Sequence, residues 1–184
     1  MLRRPRRRGW WRGWLLLAVA VPAAIVSGED DTDPAGGGGG PVVLRAEVLA
    51  VTDGDTIVVR LRGGGVERVR YIGVDTPEST PDQPLECFGQ EAAERNRELV
   101  GGETVRLELG RERRDDYGRL LAYVRTRGAF VNARLLKGGY ARVLTIAPND
   151  ARAPLFGRIE AEAGRDGRGL WGSCENPSAN LSEP

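Results

Sequence analysis

Between residues 44 and 71 apolar side chains recur at every second position in three short runs, separated by glycine-bearing turns. Leu44, Ala46, Val48 and Ala50 alternate with Arg45 and Glu47. Ile57, Val59 and Leu61 form the second run, and Val69 and Tyr71, alternating with Arg68 and Arg70, form the third. A two-residue period puts the apolar side chains of a strand on one face. Asp53-Gly54 is tight-hairpin chemistry between the first two runs, and Gly63-Gly64-Gly65 ends the second. The segment is therefore a three-stranded meander with one apolar face that the rest of the chain must cover.

The remaining elements supply the cover. Residues 88–100 read as a helix with Phe88, Ala92 and Leu99 on one face, which Asn96 interrupts. Residues 104–109 and 119–125 give strands four and five. Residues 129–137 read as a short helix stopped by Gly138-Gly139. A last helix over 151–165 carries Leu155 and Ile159. This order predicts an α+β, mainly β, domain: a five-stranded Greek-key barrel of the OB type with about three helices. Such barrels host many activities, so function must come from the site.

The compact domain is placed at 42–174, between two segments of other character. Residues 1–28 hold six Arg and no acid, and 14–26 form a 13-residue apolar run. That is short of the roughly 20 residues a membrane span needs, and it predicts an export signal peptide and a secreted protein. An uncleaved, outward-facing anchor is the alternative. Residues 29–41 (EDDTDPAGGGGGP) predict an acidic, glycine-rich linker, and 175–184 a disordered tail.

Global charge does not announce a polyanionic partner. With 1–28 removed, 21 basic residues face 26 acidic ones, so any phosphate attraction must come from locally placed arginines. The chain has no His, which excludes a histidine general base and a histidine zinc site, and two Cys are too few for a structural zinc site. Any metal must be a hard cation held by oxygen.

Oxygen donors occur in two clusters. Asp53-Gly54-Asp55-Thr56 opens strand two, and Asp75-Thr76-Pro77-Glu78 follows strand three. The meander makes those strands antiparallel neighbours, so both clusters fall at one end of the sheet. Carboxylates meeting there suit Ca²⁺, with a backbone carbonyl and water completing the shell. Arg70 and Arg119 offer planar forks for phosphate oxygens. Glu78 is the natural base for water in a chain without histidine.

Asp53-Gly54-Asp55-Thr56, then Arg70, then Asp75-Thr76-Pro77-Glu78, then Asp115-Asp116-Tyr117-Gly118-Arg119 resembles, in order and spacing, the staphylococcal (micrococcal) nuclease family. The resemblance continues through LLAYV at 120–124 to Leu170-Trp171 and covers roughly 42–172. It implies a Ca²⁺-dependent nuclease of DNA and RNA that directs water in line at phosphorus and leaves 3′-phosphate ends. It implies Asp55, Asp75 and the Thr76 carbonyl as metal ligands, Arg70 and Arg119 as phosphate binders, Glu78 as general base and Tyr117 beside a terminal phosphate. Two departures stand out. Asp116 occupies a position where the best-known member has Lys, and 143–149 lacks the two tyrosines that flank a nucleobase there. A monomer without a stable protein partner is expected, touching membrane only through its export signal. A catalytically weak nucleic-acid- or protein-binding barrel is the competing reading. In an oxidising compartment Cys87 and Cys174 are expected to pair, tying the first helix to the C-terminal end.

Overall fold

The computed structural model describes residues 40–80 and 84–177. The expected export signal (1–28), all but the last two residues of the expected linker (29–41) and all but the first three of the expected tail (175–184) lie outside the described residues.

β1 (Val43–Val51), β2 (Thr56–Leu61) and β3 (Val66–Tyr71) form the antiparallel meander. α1 (Gly89–Val100) leads to β4 (Thr104–Arg114) and β5 (Leu120–Arg125). β5 runs parallel to β3 and antiparallel to β4, and β4 returns to β1, so the sheet closes in the order β1-β2-β3-β5-β4. Closure removes every free sheet edge. α2 (Val131–Gly138), α3 (Ala153–Arg165) and the single turn α4 (Leu170–Ser173) complete the domain. The inward side chains are mostly those the alternation marked: Ala46, Val48, Ile57, Val59 and Val69 are buried, and Leu107 and Val124 complete the lining from the other two strands. Ala50, expected on the same face, is exposed because the pairing of β1 with β2 shifts register between Val48 and Ala50.

Three local differences have physical causes. β4 extends to Arg114 rather than stopping at 109. Beyond Leu109 its pairing with β5 shifts register, and Gly110 lies where a Cβ would strike the Asn149 side chain at 2.4 Å, so the strand leaves the core and the apolar period stops. The first helix begins at Gly89, because Phe88 takes a left-handed conformation (φ 72) and turns its ring to Tyr140, 5.5 Å away. That conformation costs an L-residue about 1–2 kcal/mol and makes 86–89 a tightly constrained turn. On α3 the buried residues are Phe156 and Ala163, while Leu155 and Ile159 lie at the rim. Phe156 packs on Tyr123 and Phe130 and fills the space over Gly73, where a Cβ would come within 2.7 Å of the ring. Burying such a ring is worth about 1.5–3 kcal/mol.

Cys87 and Cys174 form a disulfide that ties the start of α1 to the end of α4 across 87 residues of sequence. By the chain-entropy model a loop this long stabilises the fold by about 4–5 kcal/mol. Denaturant unfolding of the oxidised protein against a Cys87→Ala/Cys174→Ala variant is expected to show a loss of up to that size. Equal unfolding free energies would mean that the bond carries no load.

Candidate active site

The two acidic clusters meet because of how β2 begins and β3 ends. Thr56 pairs with Arg70 across the two strands, and the Tyr71 N–H donates to the Asp55 carbonyl at 2.9 Å. The Asp53 carboxylate accepts the Asp55 N–H at 2.9 Å, the self-bonding turn that aspartate favours. Gly54 is buried, and a Cβ there would lie 2.6 Å from the Thr76 side chain, so only glycine lets the second cluster close onto the first. After β3, Gly73 takes φ +79, and Asp75 exchanges both backbone hydrogen bonds with Arg142 at 2.8 and 2.9 Å.

This turn resolves a parity problem. Arg70 and Asp75 are five residues apart, and a regular strand would point them to opposite faces. With the chain redirected at Gly73, Arg70 Nη2 reaches Asp75 Oδ1 at 2.9 Å, while Nη1 forms an ion pair with Asp55 Oδ2. That second contact is an ion pair without the alignment of a hydrogen bond. Both aspartates are buried, each about 4% exposed as a residue. Asp55 Oδ2 also accepts the Thr76 N–H at 2.9 Å and its hydroxyl at 3.1 Å, and Asp55 Oδ1 accepts the Thr56 hydroxyl at 3.2 Å.

Arg119 is held differently. Asp115 accepts the backbone N–H groups of Tyr117 and Arg119 and takes Arg119 Nε at 2.6 Å. Among the described residues nothing pairs with the two terminal nitrogens of Arg119, which leaves its fork open. Tyr117 is 81% exposed, 5.4 Å from that guanidinium.

Glu78 is fixed through its main chain. Its N–H donates to Glu86 Oε2 at 3.2 Å, and its carbonyl accepts the Glu86 N–H at 3.1 Å. A Cβ on Gly89 would come within 2.1 Å of the Glu78 carbonyl oxygen, so the start of α1 is pressed against it. Partial burial, followed by the Asp53 and Glu86 carboxylates, raises the Glu78 carboxyl above the ordinary glutamate range, against the pull of Arg70. Asp53 is likewise raised, mainly by burial, with Arg70 and Thr56 opposing.

Asp55, Thr76, Asp75, Arg70, Glu78, Tyr117 and Arg119 thus line one cleft of about 370 Å³. Cys87 and Cys174 line a separate cavity of about 550 Å³, which Glu78 also borders. Sequence reasoning missed three contributors. Asn96, the residue that interrupts the apolar face of α1, is fully buried. It donates to the Asp53 carbonyl and accepts the Tyr71 hydroxyl, both at 2.9 Å, and so anchors the first acidic turn from below. A polar residue inside a helix's apolar face was the available signal. Glu86 and Arg68, the latter also lining the cleft, gave none.

The donor set suits a hard cation. Asp55 and Asp75 supply oxygen only and converge closely enough to share one guanidinium. Among the described residues no three Asp, Glu or Cys side chains close into a cage, so the rest of a coordination shell falls to backbone carbonyl, water and substrate oxygens.

Acidic oxygens for a cation beside guanidiniums for phosphate oxygens, at the rim of a small barrel, are the equipment of a phosphodiester hydrolase. The family model of staphylococcal nuclease homologues matches residues 68–173. Among curated relatives, the thermonuclease of Staphylococcus intermedius is 40% identical over 125 residues, 67% of this chain and 74% of its own. The thermonuclease of Staphylococcus hyicus is 35% identical over 126 residues, 68% of this chain and 74% of its own. The SPbeta prophage-derived endonuclease YokF of Bacillus subtilis is 43% identical over 122 residues, 65% of this chain but 41% of its own. The chain belongs to the staphylococcal nuclease homologue family.

Proposed function

We propose that this chain is a secreted, calcium-dependent endonuclease that hydrolyses DNA and RNA by in-line attack of water and leaves 3′-phosphate ends. As a member of its family it is a phosphodiester-hydrolysing nuclease. The catalytic part of this reading rests on one observation: two buried carboxylates, an open guanidinium fork and a half-buried glutamate border the same cleft. Secretion rests on the sequence of 1–28 alone, basic and then apolar.

In this reading Asp55, Asp75 and the Thr76 carbonyl hold calcium, which when bound polarises a phosphoryl oxygen. Glu78 takes the proton of the attacking water as its oxygen bonds to phosphorus. Arg119, through its free terminal nitrogens, donates to the equatorial oxygens as charge builds there. Arg70 adds positive charge from between the two carboxylates. The 5′ oxygen leaves with a proton, and the phosphate stays on the 3′ side. Tyr117 stands at the mouth of the cleft, within reach of a flanking phosphate.

Base discrimination is expected to be weak. Sequence-tolerant sites stack bases on exposed aromatic rings. Tyr140 is half-buried against Phe88, and 143–149 contains no aromatic side chain. Oligonucleotides of DNA and RNA, differing in the base beside the scissile bond, should be cut at rates within about tenfold of one another, since phosphate contacts carry little sequence information. Mapped product ends should carry 3′-phosphate. Ends bearing 5′-phosphate would reject the 5′ oxygen as the leaving group. Retention of intact oligonucleotide without cleavage would favour the binding-module reading.

A further inference from the structure

Three guanidiniums line the cleft, and two of them already contact carboxylates. Arg70 is taken by Asp55 and Asp75, and Arg119 gives its Nε to Asp115. The third, Arg68, is exposed, and among the described residues its side chain has no carboxylate or other partner. Its neighbour in sequence, Glu67, is engaged by both terminal nitrogens of Arg114, at 2.8 and 2.9 Å, and so is not available to it.

The register places Arg68 well. Val69 is fully buried and points into the barrel, so Arg68 and Arg70 stand on the outer face together, about 6.6 Å apart along the strand. β3 and β5 run parallel with Val69 opposite Leu120, so one step back sets Arg68 beside Arg119. An unpaired cation thus lies next to both proposed phosphate-binding arginines, displaced along β3 by a step comparable with that between successive phosphates of an extended strand. Asp116, exposed in the turn before Arg119, leaves that turn without a basic side chain for a flanking phosphate.

We propose that Arg68 binds the phosphodiester adjacent to the one being cut, making the enzyme selective for substrates with at least two consecutive phosphates. This rests on the nuclease reading above. Holding a second phosphate fixes the register of the strand on the barrel without reading a base. A bland alternative exists: the Arg68 stem covers half-buried Val58, its partner on β2, as arginine stems often do.

The test compares a deoxytrinucleotide, with two phosphodiesters, and a dinucleoside monophosphate, with one, in the presence of calcium. For the wild-type protein kcat/KM is expected to favour the trinucleotide. In Arg68→Gln that preference is expected to shrink about tenfold, mostly through KM, the low end for a charge-assisted hydrogen bond at an exposed site. Arg68→Lys should restore part of it. Trinucleotide binding, measured in a Glu78→Gln background, should lose about 0.7 from its slope of log affinity against log salt, the amount for one single-strand phosphate contact. An unchanged preference, or a loss shared equally by both substrates with a lowered melting temperature, would overturn the proposal in favour of packing on Val58. If the wild-type protein cuts neither substrate, the nuclease reading itself falls and this inference with it.

Discussion

Chelating calcium is expected to stop DNA hydrolysis, with a loss on the order of 10³-fold or more, and adding calcium back is expected to restore it. The reasoning is electrostatic. Asp53, Asp55, Asp75 and Glu78 border a cleft that must admit a phosphate, and each carboxylate repels it. Arg70 neutralises only part of that charge and is shared between two acids. With no histidine in the chain and, among the described residues, no third acid closing a cage, the site is suited to an oxygen-bound hard cation that leaves positions for water and substrate. A second readout is independent of turnover: a ligand that binds only the folded state raises the melting temperature. Calcium should therefore stabilise the wild-type protein and do so much less in Asp55→Asn/Asp75→Asn. Full activity in chelator, or equal stabilisation of both proteins, would remove the metal from Asp55 and Asp75.

The barrel was legible because its signals are local. A period of two over 44–71, broken at Asp53-Gly54 and at Gly63-Gly65, states three strands and their turns, and the structure pairs them as read. The acid clusters were legible for the same reason, since each lies within four consecutive residues. What failed to show depends on contacts distant in sequence. Asn96 binds a carbonyl 43 residues away, and nothing near it says so. Phe156 rather than Leu155 or Ile159 is the large buried anchor of α3 because Gly73, from another part of the chain, leaves a space that its ring fills. The clamp on Glu78 needs Glu86 and Gly89 to fold back on it, past a left-handed Phe88 that no helical pattern anticipates. Even the Arg70–Asp75 contact contradicts strand parity and exists because Gly73 turns the chain.

The three residues proposed for catalysis are expected to fail in distinguishable ways. Arg119→Ala should cut kcat/KM by about 10²–10⁴-fold, the scale for losing a donor to transition-state charge. Its fold should survive, because the backbone N–H bonds that Asp115 accepts keep the turn without the side chain. Glu78→Gln should lose activity on the same scale, about 10²–10⁴-fold, as a positioned base does. It too should melt normally, since Glu86 and Gly89 hold the main chain at this position rather than its carboxylate. Arg70→Ala should be the exception. Its side chain is 15% exposed and bridges side chains that are 5% and 6% exposed, so removing it leaves two buried carboxylates facing each other without the counterion they share. Breaking a buried pair in this way costs about 3–5 kcal/mol. That loss should be largest in chelator and should shrink when calcium is supplied, because a cation between Asp55 and Asp75 replaces the missing charge. The measurement is a pair for each variant: kcat/KM on DNA with calcium, and melting temperature with and without it. If Arg70→Ala melts like Arg119→Ala in chelator, Arg70 is not the counterion of the acid pair. If all three variants retain near-native rates, the chemistry lies outside this cleft.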